Sequence, residues 1–130
     1  MVSQMAIESL DFASPKAVTA EARRSLAADD SVQARLANQI LDFVEGAALQ
    51  LGASDLPRVH ISRADDESLI VEWPFSHHRL GFSIEPDLVE SSWFFVSDEH
   101  EDSTSACGKL GRHGVRLGLA LLSASLSVHA

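Results

Sequence analysis

Two alternating runs, LIVEWP at 69–74 and RLGFSIE at 79–85, flank the tetrapeptide Phe75-Ser76-His77-His78. Leu69, Val71 and Trp73 alternate with Ile70 and Glu72, while Leu80, Phe82 and Ile84 alternate with Arg79, Gly81, Ser83 and Glu85. Successive strand side chains point to opposite sides. A period of two therefore commits this stretch to an antiparallel sheet with one buried face and one largely wet face. Trp73 is in phase with Leu69 and Val71, which places it on the buried side.

A different period precedes the sheet. Val32, Leu36, Ile40, Phe43, Val44, Ala47 and Leu51 recur at spacings of three and four, which predicts a helix over about 31–51 with an apolar stripe that covers the sheet. Asp29-Asp30 supplies a break and a fresh N-cap before it, and Gly52 sits where a C-cap glycine belongs. Upstream, Ser14-Pro15 reads as a helix start because Ser caps free amides and Pro needs no N–H there. The strong helix formers KAVTAEARRSLA follow.

Further strands are expected at RVHIS, SSWFFVS and STSACGKL, separated by the turn-forming RADDES, EPDLVE and DEHED. Trp93, Phe94 and Phe95 are consecutive, so that strand carries aromatics on both faces. Either the C-terminal segment covers the second face, or an exposed aromatic patch marks a partner surface. Val115, Leu119, Leu122 and Leu126 suit a helix, and Val115, Leu117, Leu119 and Leu121 suit a strand equally well. Gly108, Gly111, Gly114 and Gly118 weaken both, and a helix over about 113–126 is the reading adopted.

No internal repeat or interdomain linker interrupts the chain. The order of elements argues for a single α+β domain over 1–130, with N-terminal helices packed on an antiparallel meander of four to five strands and a C-terminal helix. The first 13 residues need not be ordered. The run LIVEW…RLGFSIEPD after a long N-terminal helix resembles a pattern of small uncharacterised bacterial proteins. The similarity spans about half the chain. Its motifs are sheet and turn residues, so the resemblance implies a fold and no activity.

With 130 residues and 45% hydrophobic content, the chain can bury a core. Its formal charge of −9 argues against direct nucleic-acid binding, which depends on Lys and Arg neutralising phosphates, and against an anionic membrane surface. Seven acids, Glu85, Asp87, Glu90, Asp98, Glu99, Glu101 and Asp102, fall within 85–102 without one Lys or Arg. Such asymmetry steers a basic partner, although a solvated face is the plainer account. Cys107 is the only cysteine, so no intramolecular disulfide forms, a reducing cytosol is expected, and the residue reads as a small buried hydrophobe. MVSQMAIESLDF lacks a secretory pattern and LGLALLSASLSV is too short to span a bilayer, which makes a soluble, cytoplasmic protein the expectation.

His77, His78 and His100 are the candidate metal ligands. Their spacing matches no zinc pattern, and adjacent histidines on a strand diverge, so polar hairpin residues are the default reading and no cofactor is expected. Asp98, His100 and Asp102 occupy the first, third and fifth places of a calcium loop, but Ser103 replaces the glycine and Lys109 the terminal Glu. GKLGRHG is neither a P-loop nor a dinucleotide turn, and no G-x-S-x-G elbow is present. Glu72, Glu85 and Asp87 fall at wet positions, where paired carboxylates keep ordinary acidity.

The leading expectation is a non-enzymatic protein-interaction or accessory module. It binds another protein, basic in character, or pairs with itself as a homodimer, through Trp93, Phe95, Asp98, Glu99, Glu101 and Asp102. The alternatives are a metal-dependent enzyme or metal-binding protein built on the His77/His78 region, and an acidic inhibitor that mimics nucleic-acid charge.

Overall fold

A computed structural model of the chain describes residues 12–75, 77–97 and 105–110. A short strand β1 (Phe12–Ala13) leads into helix α1 (Pro15–Leu26) and helix α2 (Val32–Gln50). The strands β2 (Leu56–Pro57), β3 (His60–Arg63), β4 (Leu69–Pro74), β5 (His78–Ile84), β6 (Ser92–Ser97) and β7 (Ser105–Lys109) follow, with one 3₁₀ turn at Leu88–Glu90. β1 pairs with β2. The others form a five-stranded antiparallel sheet in the order β3-β4-β5-β6-β7, so the expected α+β meander is present.

Local chemistry sets the helix ends. Ser14 Oγ accepts from the Ala17 amide at 3.2 Å with Pro15 at the first helical position, and Ser31 Oγ accepts from the Ala34 amide at 3.1 Å. At the far end of α2, Gly52 takes φ +73, its amide donates to Leu49 O at 3.1 Å, and the Ala53 amide reaches Ala48 O at 2.9 Å. This pair of reversed bonds is a Schellman motif, which requires a left-handed residue and so favours glycine.

The register places Leu69, Val71 and Trp73 of β4, Leu80, Phe82 and Ile84 of β5, and Trp93 and Phe95 of β6 on one face. All but Phe95 are buried. Trp73, 1% exposed, meets Phe82 edge-on with ring centroids 6.1 Å apart. Helix α1 packs chiefly against α2 and also touches β1, β2 and β3, while α2 packs on β4 and β5.

One expectation about α2 is corrected. The residues it buries are Gln33, Ala34, Ala37, Ile40, Leu41, Val44 and Ala48, and only Ile40 and Val44 belong to the anticipated stripe. Val32, Phe43 and Leu51 are exposed. The helix touches α1 and the sheet at once, and alanines let both backbones approach closely. The buried face is therefore centred on small residues rather than on the largest ones. The C-terminal helix over 113–126 lies outside the described residues.

What orients α2 is polar. The Gln33 side chain, 5% exposed, donates from Nε2 to Ile84 O at 2.7 Å and to Glu67 O at 3.0 Å, and its Oε1 accepts from Arg63 Nη1 at 2.5 Å. Arg63 also donates to Glu67 O at 3.0 Å, to Asp29 Oδ2 at 2.7 Å and to Ser31 Oγ at 3.3 Å. Glu67 is held at φ 69, the left-handed region, with its carbonyl bound by both side chains.

Gln33→Leu keeps the bulk but removes the side-chain donor to the Ile84 carbonyl, and is expected to cost about 1–3 kcal/mol of stability, measured as a lowered urea midpoint. The neighbouring exposed Val32→Gln should change stability by less than about 0.5 kcal/mol.

Candidate functional site

The two adjacent histidines part company at the β4–β5 connection. The Phe75 amide donates to His78 O at 2.8 Å and closes the turn, and His78 opens β5. Its imidazole stacks on Phe75 with centroids 4.7 Å apart and planes 12° apart, and lies 5.1 Å from the Phe95 ring. Phe75 is itself buried and meets Phe12 edge-on at 6.4 Å. His78 thus fills space between aromatics while His77 is exposed. Among the described residues no group of three or more His, Cys, Asp or Glu is arranged to hold a metal ion. His100 lies outside the described residues.

Trp93 and Phe95 occupy the helix-facing side of β6. Trp93 is 5% exposed, so its ring belongs to the core rather than to the exposed aromatic patch that the sequence allowed. Its indole lies over Gly108 of β7, and a Cβ built on that glycine would stand 2.7 Å from Nε1. Glycine supplies the seat that lets the ring lie down on the sheet. Phe95 is half-buried between its register partners Leu80 and Ala106, with the His78 ring beside it.

Phe94 points to the opposite face and uses the same device. Its ring tip would meet a Cβ on Gly81 at 2.5 Å, with Val71 O at 2.7 Å from the same point. The aromatic run therefore supplies two glycine-seated rings, one per face. Cys107, opposite Phe94 in register, is exposed rather than buried as expected, because it shares with Phe94 the face of the sheet turned away from the helices.

The acids are dispersed over separate tasks. Glu72 faces Arg79 across β4 and β5 at 3.7 Å. Glu85 accepts from Ser83 Oγ at 3.0 Å, and Asp87 accepts from the Val89 amide at 3.3 Å at the start of the 3₁₀ turn. Each of the three thus has a partner of its own. Asp98, Glu99, Glu101 and Asp102 fall in the connection from β6 to β7, residues 98–104, outside the described residues.

Two other carboxyls are shifted. Hydrogen bonds from Ser31 and from Arg63 hold Asp29 down at about 2, against an ordinary 3.8. Asp66 is lowered by hydrogen bonds from the Ser68 hydroxyl and amide. Both belong to turns that fasten helices to sheet, where ion-pair and turn networks perturb acidity without catalysis. The sequence carried signals for the glycine seats, since Gly81 and Gly108 each interrupt a strand. The Gln33–Arg63 contact spans 30 positions and left none.

Among the described residues, the β6–β7 end of the sheet is a main-chain edge, where β7 closes the strand order with Ala106, Cys107 and Lys109 exposed. Among the described residues no helix is long and apolar enough to cross a membrane. No family model matches the chain, and no match is found among curated proteins or solved structures.

Two outcomes are expected. Gly108→Ala should displace Trp93 and cost about 1–3 kcal/mol, read by a shift in tryptophan emission and a lower unfolding midpoint. Because the acidity of Asp29 is raised by folding, its contribution is present above 3.8 and is lost as pH falls to about 2. The stability gap between wild type and Asp29→Asn should therefore be full near neutral pH and close across that window, measured by denaturant titration at each pH.

Proposed function

We propose that this chain is a non-enzymatic protein-interaction module that takes up an extended, basic segment of another protein along the edge of β7. The observation that carries this reading is the end of the sheet: among the described residues β7 is its terminal strand, with Ala106, Cys107 and Lys109 exposed along it. A terminal strand presents unpaired N–H and C=O groups, and pairing with a partner strand satisfies them while neighbouring side chains set specificity.

Charge selects the partner class. The connection feeding β7 carries Asp98, Glu99, Glu101 and Asp102, and the whole chain stands at −9. Pairing this edge with a second copy would bring two such acidic connections to one interface, whereas a Lys- or Arg-rich segment gains attraction and a faster encounter. The half-buried Phe95, one strand in from the edge, offers the apolar contact beside it.

The test is capture of partners from lysate of the native host by variants of the full chain. Neutralising Asp98, Glu99, Glu101 and Asp102 to their amides should weaken capture and flatten its salt dependence. Adjacent strand residues turn their N–H groups to opposite edges, so of Ala106→Pro and Cys107→Pro one removes an outward donor and the other a bond to β6. The proline variant that keeps wild-type stability should lose the partner. Capture that survives both this variant and the neutralised one would sink the reading.

A further inference from the structure

Part of the apolar stripe anticipated on α2 is left outside the core. Ile40 and Val44 are buried, whereas Val32 and Phe43 are 49% and 58% exposed and Leu36 is half-buried. These outer residues follow a period of their own. Val32, Leu36, Gln39, Phe43, Gly46 and Gln50 are separated by alternate steps of four and three, the spacing of a seam that faces a second helix. None of the six is charged, and Gln39, Gly46 and Gln50 are exposed. Helix α2 thus has two faces, one of small residues toward α1 and the sheet and one uncharged seam toward solvent.

Charge on the margin of the seam decides what it meets. Arg35 and Asp42 are seven residues apart, so both sit on the same edge, two turns from each other. Asp42 pairs with Arg23 of α1, and Arg35 is exposed and makes no ion pair among the described residues. In an antiparallel pair of identical helices, like edges meet in reverse order. When Arg35 of one chain meets Asp42 of another, Asp42 of the first necessarily meets Arg35 of the second. A carboxylate has acceptor sites for both Arg23 and the incoming arginine. The same register sets Val32 against Phe43 and Leu36 against Gln39 across the two-fold axis.

Other pairings fail on the same residues. Sliding the antiparallel pair by one heptad would set Asp42 against Asp42, and a parallel pair would turn the charged edge toward Gln33 and Ile40, which are buried. The helix is therefore complementary to itself in one register, as an interface between two copies related by a two-fold axis requires.

We propose that the outer seam of α2 is the contact between two copies of this chain, paired antiparallel about an axis between Leu36 and Gln39. Val32 and Phe43 of opposite chains pack together, and two pairs of Arg35 with Asp42 close one edge. The inference rests on α2 alone and is independent of the β7 edge.

Sedimentation velocity of the full chain from about 1 to 500 μM covers the range in which a helix contact of three turns should assemble. Wild type should pass from monomer to dimer. Phe43→Asp should raise the dimer Kd at least about thirtyfold, because an aromatic anchor is lost twice in the contact. Arg35→Glu should raise it about tenfold, because two exposed ion pairs are lost. The exposed Val89→Asp, outside the seam, should leave it unchanged. Circular dichroism checks that each variant is folded. A chain that stays monomeric throughout overturns the proposal, as does a dimer whose Kd is indifferent to Phe43→Asp or to Arg35→Glu.

Orientation is read separately by disulfide trapping on a Cys107→Ser background, at a concentration where wild type is dimeric. Val32→Cys chains mixed with Phe43→Cys chains should give a mixed disulfide dimer on oxidation with diamide. Either chain alone should give none, because like positions then lie about 16 Å apart along the helix axis. Linkage of either chain to itself, or failure of the mixture to link, overturns the antiparallel pairing.

Discussion

The contact on which the arrangement depends is the one between Gln33 and Arg63. Burial of apolar surface has no direction, and an alanine-faced helix could slide or rotate on a sheet of Leu, Val and Trp at little cost. The amide of Gln33 reads the Ile84 and Glu67 carbonyls, and Arg63 ties Gln33, Glu67, Asp29 and Ser31 into one cluster. Five segments meet there: the α1–α2 connection, the first turn of α2, the end of β3, the β3–β4 turn and the end of β5. The cluster sets the rotation of α2, and through it which residues of that helix face solvent.

That rotation explains where sequence reasoning about the helix failed. Periodicity identifies a helix and the existence of an apolar stripe, but it weights residues by size and hydrophobicity. The face that packs is chosen by how closely backbones approach, and Ala34, Ala37 and Ala48 permit an approach that Phe43 and Leu51 would block. The strands were more legible. Alternation in 69–74 and 79–85 transferred directly to faces, with Trp73 buried as its phase required, because a period of two leaves no rotational freedom.

The candidate site was legible only in outline. Three consecutive aromatics announced a strand apolar on both faces, and the structure resolves it into Trp93 over Gly108 and Phe94 over Gly81. Whether such a ring lies in the core or stands out depends on what the neighbouring strand offers beneath it, which a single strand's sequence does not contain. The histidine pair is similar. Adjacent positions diverged as strand geometry demands, but only the approach of Phe75 and Phe95 made one of them a packing residue.

The meander also bears on how the molecule is built in time. Every pairing in the five-stranded sheet joins strands that follow one another along the chain. Each strand can therefore add to the last by closing a short loop, which is the inexpensive way to assemble a sheet and avoids waiting for distant segments to meet. The same connectivity grades the finished sheet from centre to margin. β4 and β5 are held on both sides and roofed by helix, whereas β7 is held by β6 alone among the described strands. Amide protons on the last strand should open to solvent by local fraying while those of β4 and β5 await global unfolding. A margin that unzips by itself can exchange one neighbour for another without disturbing the core.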